Sequence, residues 1–506
     1  MQDATITIGC GMVEGVDAVP VEVEATARHS GDGTPRLLGL VDTCVREAYH
    51  RVIQAFSALA LPAPRGVTTV NFAPAALRKR GSGFDLPLAL ALAGTAGLFP
   101  PERARGLYAF GEVSLRGAIL PVRGAINVAL AARAQSAYAM LCSPADASAC
   151  ALIEGLPLHG AATLADAILW LAGQRELTTT KPAQVPPERA PSAPDLSEIR
   201  GHETPKLALQ VAAAGRHNLL FSGPPGTGKS AMLQRLPGLL PPLTLEQRLA
   251  VLKVHAAAGL DIADDARRPL RAPHHTSSVQ SILGGGAAVR PGEVTLAHHG
   301  VLFLDELPEF RRDVLEAMRQ PLEDGVVTIG RSQRTVTMPA QFLLTAARNP
   351  CPCGFLGHRH RPCRCTPAAL ARYRNRLSGP LLDRIDLQVE VPFVSATELR
   401  REVEPTGSTC ALRARVLLAH ERQLARNRDR AGRVVPNGLL AGDLLHRVAR
   451  CTDAALAALD EFLHRHHQSP RGRLRLMRVA RTLADLDDRE HIEDHDVLGA
   501  GALRVG

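Results

Sequence analysis

The stretch His217–Ser230, HNLLFSGPPGTGKS, decides the fold class. Leu219, Leu220 and Phe221 make a short apolar run of the kind that forms a strand buried on both faces. Gly223, Pro224, Pro225, Gly226, Thr227, Gly228, Lys229 and Ser230 follow it and fit G-x-x-x-x-G-K-[ST]. Glycines at those places let backbone N–H groups curl around phosphate oxygens, and the helix that begins next adds its positive end. In that setting Lys229 reaches the β- and γ-phosphates of ATP, and Ser230 holds magnesium. The chain has 59 basic residues, of which only Lys79, Lys181, Lys206, Lys229 and Lys253 are lysines, so compositional drift does not explain a lysine here. Strand, phosphate loop and helix in succession predict an α/β domain.

Outward from that loop, the chain supplies the remaining parts of a hydrolytic site. Val301–Glu306, VLFLDE, is an apolar strand that delivers two carboxylates at its end, about 70 residues downstream. Asp305 would bind magnesium through water, and Glu306 would orient and deprotonate the attacking water. Gln341–Asn349, QFLLTAARN, is a further buried strand ending in a polar group, and Asn349 would lie beside Glu306 to help place the water. In Leu381–Asp386, LLDRID, Arg384 is either a surface ion-pair residue or an arginine finger offered to a neighbouring subunit. Ser469–Arg481 opens a basic helix, with Arg471 at its start placed to reach the nucleotide and the other arginines left to pack or face solvent.

At 506 residues the chain has room for two to four domains. Hydrophobic content of 45% and charged content of 22% describe a soluble globular protein. Residues 1–15 lack the charged start and apolar run of a signal peptide. The longest apolar stretch, Leu86–Pro100, is interrupted by Pro87 and glycines and is shorter than a membrane span. A cytoplasmic protein without membrane association is expected, and disulfides are then disfavoured. The net charge of +9 admits two readings, arginine-rich codon drift or attraction to a polyanion such as nucleic acid.

Four segments follow. Residues 1–173 alternate strand and helix patterns, at Val19–Ala25, Leu37–Leu61, Thr68–Phe72 and Leu86–Ala96. Residues 174–195 hold five prolines without apolar periodicity and read as a linker. Residues 196–395 carry the nucleotide motifs, and residues 396–506 turn helical, with apolar spacing of three and four in Arg413–Arg426 and Asp453–His466.

Three longer stretches are specific enough to suggest a family. Arg271–Phe310, RAPHHTSSVQSILGGGAAVRPGEVTLAHHGVLFLDELPEF, resembles the magnesium-chelatase-like AAA+ proteins. NPCPCGF and RLSGPLLDRIDL resemble one branch of them, the competence-related YifB/ComM family, over nearly the whole chain. The resemblance implies a Lon-protease-like but non-catalytic N-terminal α/β domain, a P-loop AAA+ core with a helix-2 insert and a pre-sensor-1 hairpin, and a C-terminal helical lid. It implies a homo-hexameric ring ATPase using ATP and magnesium, whose ComM members act as DNA helicases driving branch migration in natural transformation, alongside recombination proteins. By the same resemblance Gly223–Ser230, Asp305 with Glu306, Asn349, Arg384 and Arg471 take the Walker A, Walker B, sensor 1, arginine-finger and sensor 2 roles.

A ring ATPase can thread DNA, thread protein or remodel a partner. Protein-threading rings commonly grip with an aromatic pore loop, yet Ala231–Gly300 contains no Phe, Tyr or Trp. Gly325–Thr337 alternates around a GRSQR centre and predicts a β-hairpin with Arg331 and Arg334 near its tip. Those arginines either contact DNA phosphates in a ring's pore or are simply solvated. Gly284–Gly292, with His274 and His275 upstream, resembles a second pore-facing insertion. A chelatase-like remodelling subunit is the alternative; the chain ends at Gly506 without room for an integrin-like metal domain, so it would act on a separate partner.

Ala109–Gly124 looks like the strand pair of the Lon fold, which makes peptidase a third reading. Lon's chemistry needs a lysine to activate a serine, and no lysine lies between Gly81 and Thr180. Val128 stands near the lysine position and Ser82 near the serine loop, so an active peptidase is not expected. Arg78-Lys79-Arg80 is either a DNA-contacting patch or a solvated basic turn.

Cys351, Cys353, Cys363 and Cys365 fall within fifteen residues, as C-x-C, nine residues, C-x-C. Four thiolates in two close pairs can surround one tetrahedral zinc, with His358 and His360 as substitute ligands. Four reduced cysteines in a packed loop are the alternative; no catalytic step requires this metal.

Overall fold

The computed structural model describes residues 5–28, 35–64, 67–180, 194–260, 267–286, 289–330, 335–358, 361–394, 407–467 and 469–504. They fall into two compact units, one within residues 1–187, 245–265 and 287–291, the other within 188–244, 266–286 and 292–506.

The first unit is built on a seven-stranded mixed sheet ordered Arg36–Leu38, Val67–Ala73, Asp17–Arg28, Ile6–Glu14, Leu107–Ala109, Ala139–Cys142 and Leu158–Gly160. Ile6–Glu14 and Asp17–Arg28 form an antiparallel hairpin from Ile6 opposite Ala25 to Glu14 opposite Asp17. Ile6, Ile8, Cys10 and Met12 turn inward at every second residue. The helix Asp85–Thr95 is apolar on all sides, and ten of its eleven residues are buried, as a core helix requires. The expected helix over Leu37–Leu61 is narrower, at Thr43–Ala58. Asp42 stops it by accepting 3.0 Å from the Val45 amide, while Leu37 pairs with Val70 in the sheet.

One helix of this unit, Leu245–Ala258, comes from the middle of the nucleotide-motif segment. Its Leu249 belongs to the core of the first unit, and Asn127 Nδ2 donates to the carbonyls of Val16 and Lys253 at 2.8 and 2.9 Å. The Arg78-Lys79-Arg80 triplet is split by the fold. Arg78 and Arg80 are exposed, but Lys79 is fully buried and donates to the carbonyls of Phe72 (2.6 Å) and Pro74. Its ammonium closes a loop inside the protein and is not part of a surface patch.

The second unit centres on five parallel strands ordered Leu270–Arg271, Val301–Leu304, Leu343–Arg348, Leu219–Ser222 and Leu387–Glu390. All four residues of Leu219–Ser222 and of Val301–Leu304 are buried, the burden of a parallel sheet covered on both faces. The C-terminal helices Thr409–Arg426, Gly442–Ala449, Asp453–Arg465, Pro470–Leu486 and Asp494–Ala502 share one apolar core with this sheet, joining Leu219 and Val301 to Val416 and Leu476. Within them Arg481 is fully buried, paired with Asp485 at 3.0 Å and donating to the Glu490 and Arg489 carbonyls at 2.6 Å. Val326–Gly330 and Thr335–Pro339 form the expected antiparallel hairpin, ending at Gly330 opposite Thr335. Arg331 and Arg334 lie outside the described residues.

Candidate functional site

Parallel strands deliver their carboxyl ends to one edge of the sheet, where ligands of open α/β folds bind. Leu343–Arg348 lies between Val301–Leu304 and Leu219–Ser222, with Leu304 beside Ala346 and Ser222 beside Arg348. The segments leaving these three ends therefore converge. They surround a cavity of about 280 Å³ lined by Gly226, Lys229, Ser230, Asp305, Glu306 and Asn349, among others.

The loop itself is shaped by its glycines. A Cβ on Gly223 would lie 2.3 Å from the Val391 carbonyl oxygen, so the loop can leave the sheet only through glycine. Gly228, at φ +85°, stands immediately before the helix Lys229–Arg235. Lys229 Nζ donates to the carbonyls of Gly223 (2.6 Å) and Pro224 (2.7 Å) and to Asn349 Oδ1 (3.4 Å). Burial lowers its pKa, against the opposing pull of Asp305 and Glu306. Ser230 Oγ donates to Asp305 Oδ2 at 2.7 Å, which puts a hydroxyl and a carboxylate together as hard oxygen ligands suited to magnesium. Pro225 and Thr227 also line the cavity, Thr227 Oγ1 donating to the Pro224 carbonyl at 3.0 Å.

Glu306 adopts a left-handed φ of +51°, a strained state for a residue with a Cβ and one that clusters at functional sites. Its Oε2 lies 3.8 Å from His275 Nδ1, and the His275 ring stacks on His274 at 4.1 Å between centroids. The sequence gives no hint of that neighbour, because His275 approaches from beyond the two-residue strand Leu270–Arg271. Arg348 was likewise not anticipated; it lines the cavity and its Nε donates to Ser222 Oγ at 3.3 Å.

Arg384 and Arg471 do not line this cavity. Arg384 pairs with Glu323 and donates to the Pro380 carbonyl at 2.7 Å. Its hydrogen bond, with a smaller contribution from Arg471, holds the Glu323 carboxyl below its usual range. The segments that carry the two arginines meet at His217, which is fully buried and stands six residues before Gly223. His217 Nδ1 lies 3.1 Å from Asp386 Oδ2, and Nε2 lies 2.8 Å from Thr482 Oγ1 on the helix that carries Arg471.

The four clustered cysteines gather although the chain around them forms no helix or strand among described residues 350–366. Cys351 Sγ lies 3.3 Å from Cys353 Sγ and 3.7 Å from Cys363 Sγ, Cys353 and Cys363 are 3.6 Å apart, and all four sulfurs lie within 4.8 Å of one another. His358 is engaged elsewhere, its Nδ1 accepting from the Arg361 amide at 3.0 Å and its ring against Phe393. His360 lies outside the described residues.

Comparison with known proteins follows the same outline. Residues 195–399 match the family described as magnesium chelatase, subunit ChlI; residues 21–146 match subunit ChlI of Mg-chelatase, and residues 406–504 its C-terminal part. Competence protein ComM of Haemophilus influenzae is 37% identical over 487 residues, 94% of this chain and 93% of its own. The uncharacterized protein YifB of Escherichia coli is 37% identical over 489 residues, 95% and 94% of the two chains. An uncharacterized protein of Mycobacterium tuberculosis H37Rv is 39% identical over 499 residues, 97% of each. No described helix is long and apolar enough to cross a membrane. Similarity of this extent, end to end and through all three matched regions, means that the chain belongs to the YifB/ComM family of magnesium-chelatase-like AAA+ proteins.

Proposed function

We propose that this protein is an ATP- and magnesium-dependent hexameric translocase that moves on single-stranded or branched DNA and promotes branch migration during recombination in natural transformation. The observation that carries the ATPase part is the convergence of Lys229, Ser230, Asp305, Glu306 and Asn349 on one cavity. Lys229 would leave its own loop carbonyls for the β- and γ-phosphates, and Ser230 with Asp305 would hold magnesium. Glu306 would deprotonate the attacking water, with Asn349 fixing its position. Arg384, outside the cavity of its own chain, would serve as the finger for a neighbour's nucleotide, and Arg471 would act from the lid.

The DNA part is supported by end-to-end similarity to a competence protein and by the hairpin Val326–Pro339, just ahead of the Asn349 strand. Arg331 and Arg334, which fall between its two strands in the sequence, would meet phosphates in the pore of the ring. We read residues 1–173 as a Lon-like scaffold without peptidase chemistry, 174–195 as a linker, 196–395 as the ATPase core and 396–506 as the lid, in a cytoplasmic protein. The scaffold reading is supported by Lys79, which bonds to backbone carbonyls and not to a serine.

The family descriptions, all of chelatase subunits, favour a second reading, a protein-remodelling ATPase acting on a separate partner. ATPase rate with and without single-stranded and branched DNA separates the two. Stimulation is expected for the translocase; an unchanged rate would favour remodelling. Strand displacement that survived Glu306→Gln would sink the hydrolytic mechanism.

A further inference from the structure

Four thiols converge beside the phosphate loop, and no step of ATP hydrolysis uses them. A tetrahedral zinc bound by four sulfurs at about 2.3 Å requires sulfurs about 3.8 Å apart. The measured separations of 3.3, 3.6 and 3.7 Å are close to that edge length. A disulfide would bring one pair to about 2.0 Å, and all ten cysteines are free. Backbone amides are aimed at the sulfurs, as they are around thiolate ligands. Leu356 N–H donates to Cys351 Sγ at 3.3 Å and Cys365 N–H to Cys363 Sγ at 3.5 Å. Four soft ligands that fill every position make a closed structural site with none left for substrate.

The position of the cluster says what such a metal would hold. Cys351 is buried and follows Asn349 by two residues. A tight turn, with the Gly354 amide donating to the Cys351 carbonyl at 2.9 Å, brings the chain back over the phosphate loop. Gly354 has φ +80°, and a Cβ there would lie 2.7 Å from Cδ of Pro225. The cysteine turn therefore rests its bare backbone on the residue next to Pro224, whose carbonyl receives Lys229.

We propose that Cys351, Cys353, Cys363 and Cys365 bind one zinc ion, and that this metal-held turn braces Pro225 so that nucleotide affinity depends on zinc. The second half of this proposal rests on the reading of the Gly223–Ser230 loop as an ATP site. Metal binding would fix a segment that forms no helix or strand among its described residues, and the fixed segment would limit the freedom of the loop that must close on phosphate.

The test uses the full-length protein. Elemental analysis should find one zinc per chain, absent from a Cys351→Ser, Cys363→Ser double variant. Stripping zinc with a zinc-selective chelator should weaken binding of a fluorescent ATP analogue about tenfold, and added zinc, but not magnesium alone, should restore it. In Pro225→Ala the zinc should remain, and its removal should change ATP affinity by about twofold at most, because the contact that transmits it is gone. Iron or no metal in the wild type, or ATP affinity indifferent to zinc, would overturn the proposal. So would an equal loss in wild type and Pro225→Ala, as general unfolding on metal removal would give. Zinc-loaded wild type that binds no ATP would refute the nucleotide reading itself, and its zinc count would tell that failure apart.

Discussion

At the scale of single residues, the proposed site would separate binding from turnover. Lys229→Ala removes the charge for the phosphates and is expected to weaken ATP binding about 100-fold or more, read by nucleotide titration. Glu306→Gln leaves the loop intact; it should bind ATP within about twofold of wild type and lose at least about 100-fold in turnover. His275 lies 3.8 Å from the Glu306 carboxylate, and on the proposed mechanism it would act as a positioning residue. His275→Ala should lower kcat about tenfold with little change in KM, and His275→Gln should recover part of the loss. Equal effects on kcat and on thermal stability would reduce His275 to packing. Gly223→Ala tests a steric claim, since its Cβ would meet the Val391 carbonyl at 2.3 Å. A loss of about 1–3 kcal/mol of stability is expected in denaturant melts.

Among the elements, the strand Val301–Leu304 has a charge-sensitive approach. His299, two residues before it, is held down to about 2 by burial first, then by the neighbouring charges of His298, Arg216 and Arg268. The native ring stays neutral while the unfolded chain takes up a proton below the ordinary histidine value of 6.5. This contribution to stability is therefore present above that pH and is lost as pH falls, by about 1.4 kcal/mol per pH unit. Urea midpoints between pH 6.5 and 4.5 should fall less steeply for His299→Gln than for wild type; parallel slopes would contradict the assignment. The elements around the site were largely legible in the chain. The apolar runs LLF and VLFL became buried parallel strands because a strand covered on both faces must be apolar throughout. Boundaries were less so: Leu37 joined the sheet and not the helix, since pairing with Val70 depends on a strand about 30 residues away. The burial of Lys79 was hidden for a similar reason, as a basic triplet carries no sign of which side chain will find internal carbonyls.

For the whole molecule, Arg384 lies outside its own chain's cavity, and the finger role proposed for it would make activity a property of the assembly. Arg384→Ala should bind ATP normally and lose turnover by about 10³-fold or more. In mixed assemblies with wild type, the rate should fall by more than the fraction of variant added. A rate that falls only in proportion would place the arginine's role within its own chain. The sequence by itself carried the motifs on which the nucleotide and metal readings rest, because phosphate loops, carboxylate-ending strands and close cysteine pairs are local patterns set by short spacing. Only the tertiary structure decided which distant residues meet. It brought His275 to Glu306, linked His217 to Asp386 and Thr482, set Gly354 on Pro225, and assigned Leu245–Ala258 to the first unit. The physical reason is that such contacts are chosen by packing in three dimensions, where a residue's partner depends on strand order and helix placement that no short window of sequence encodes.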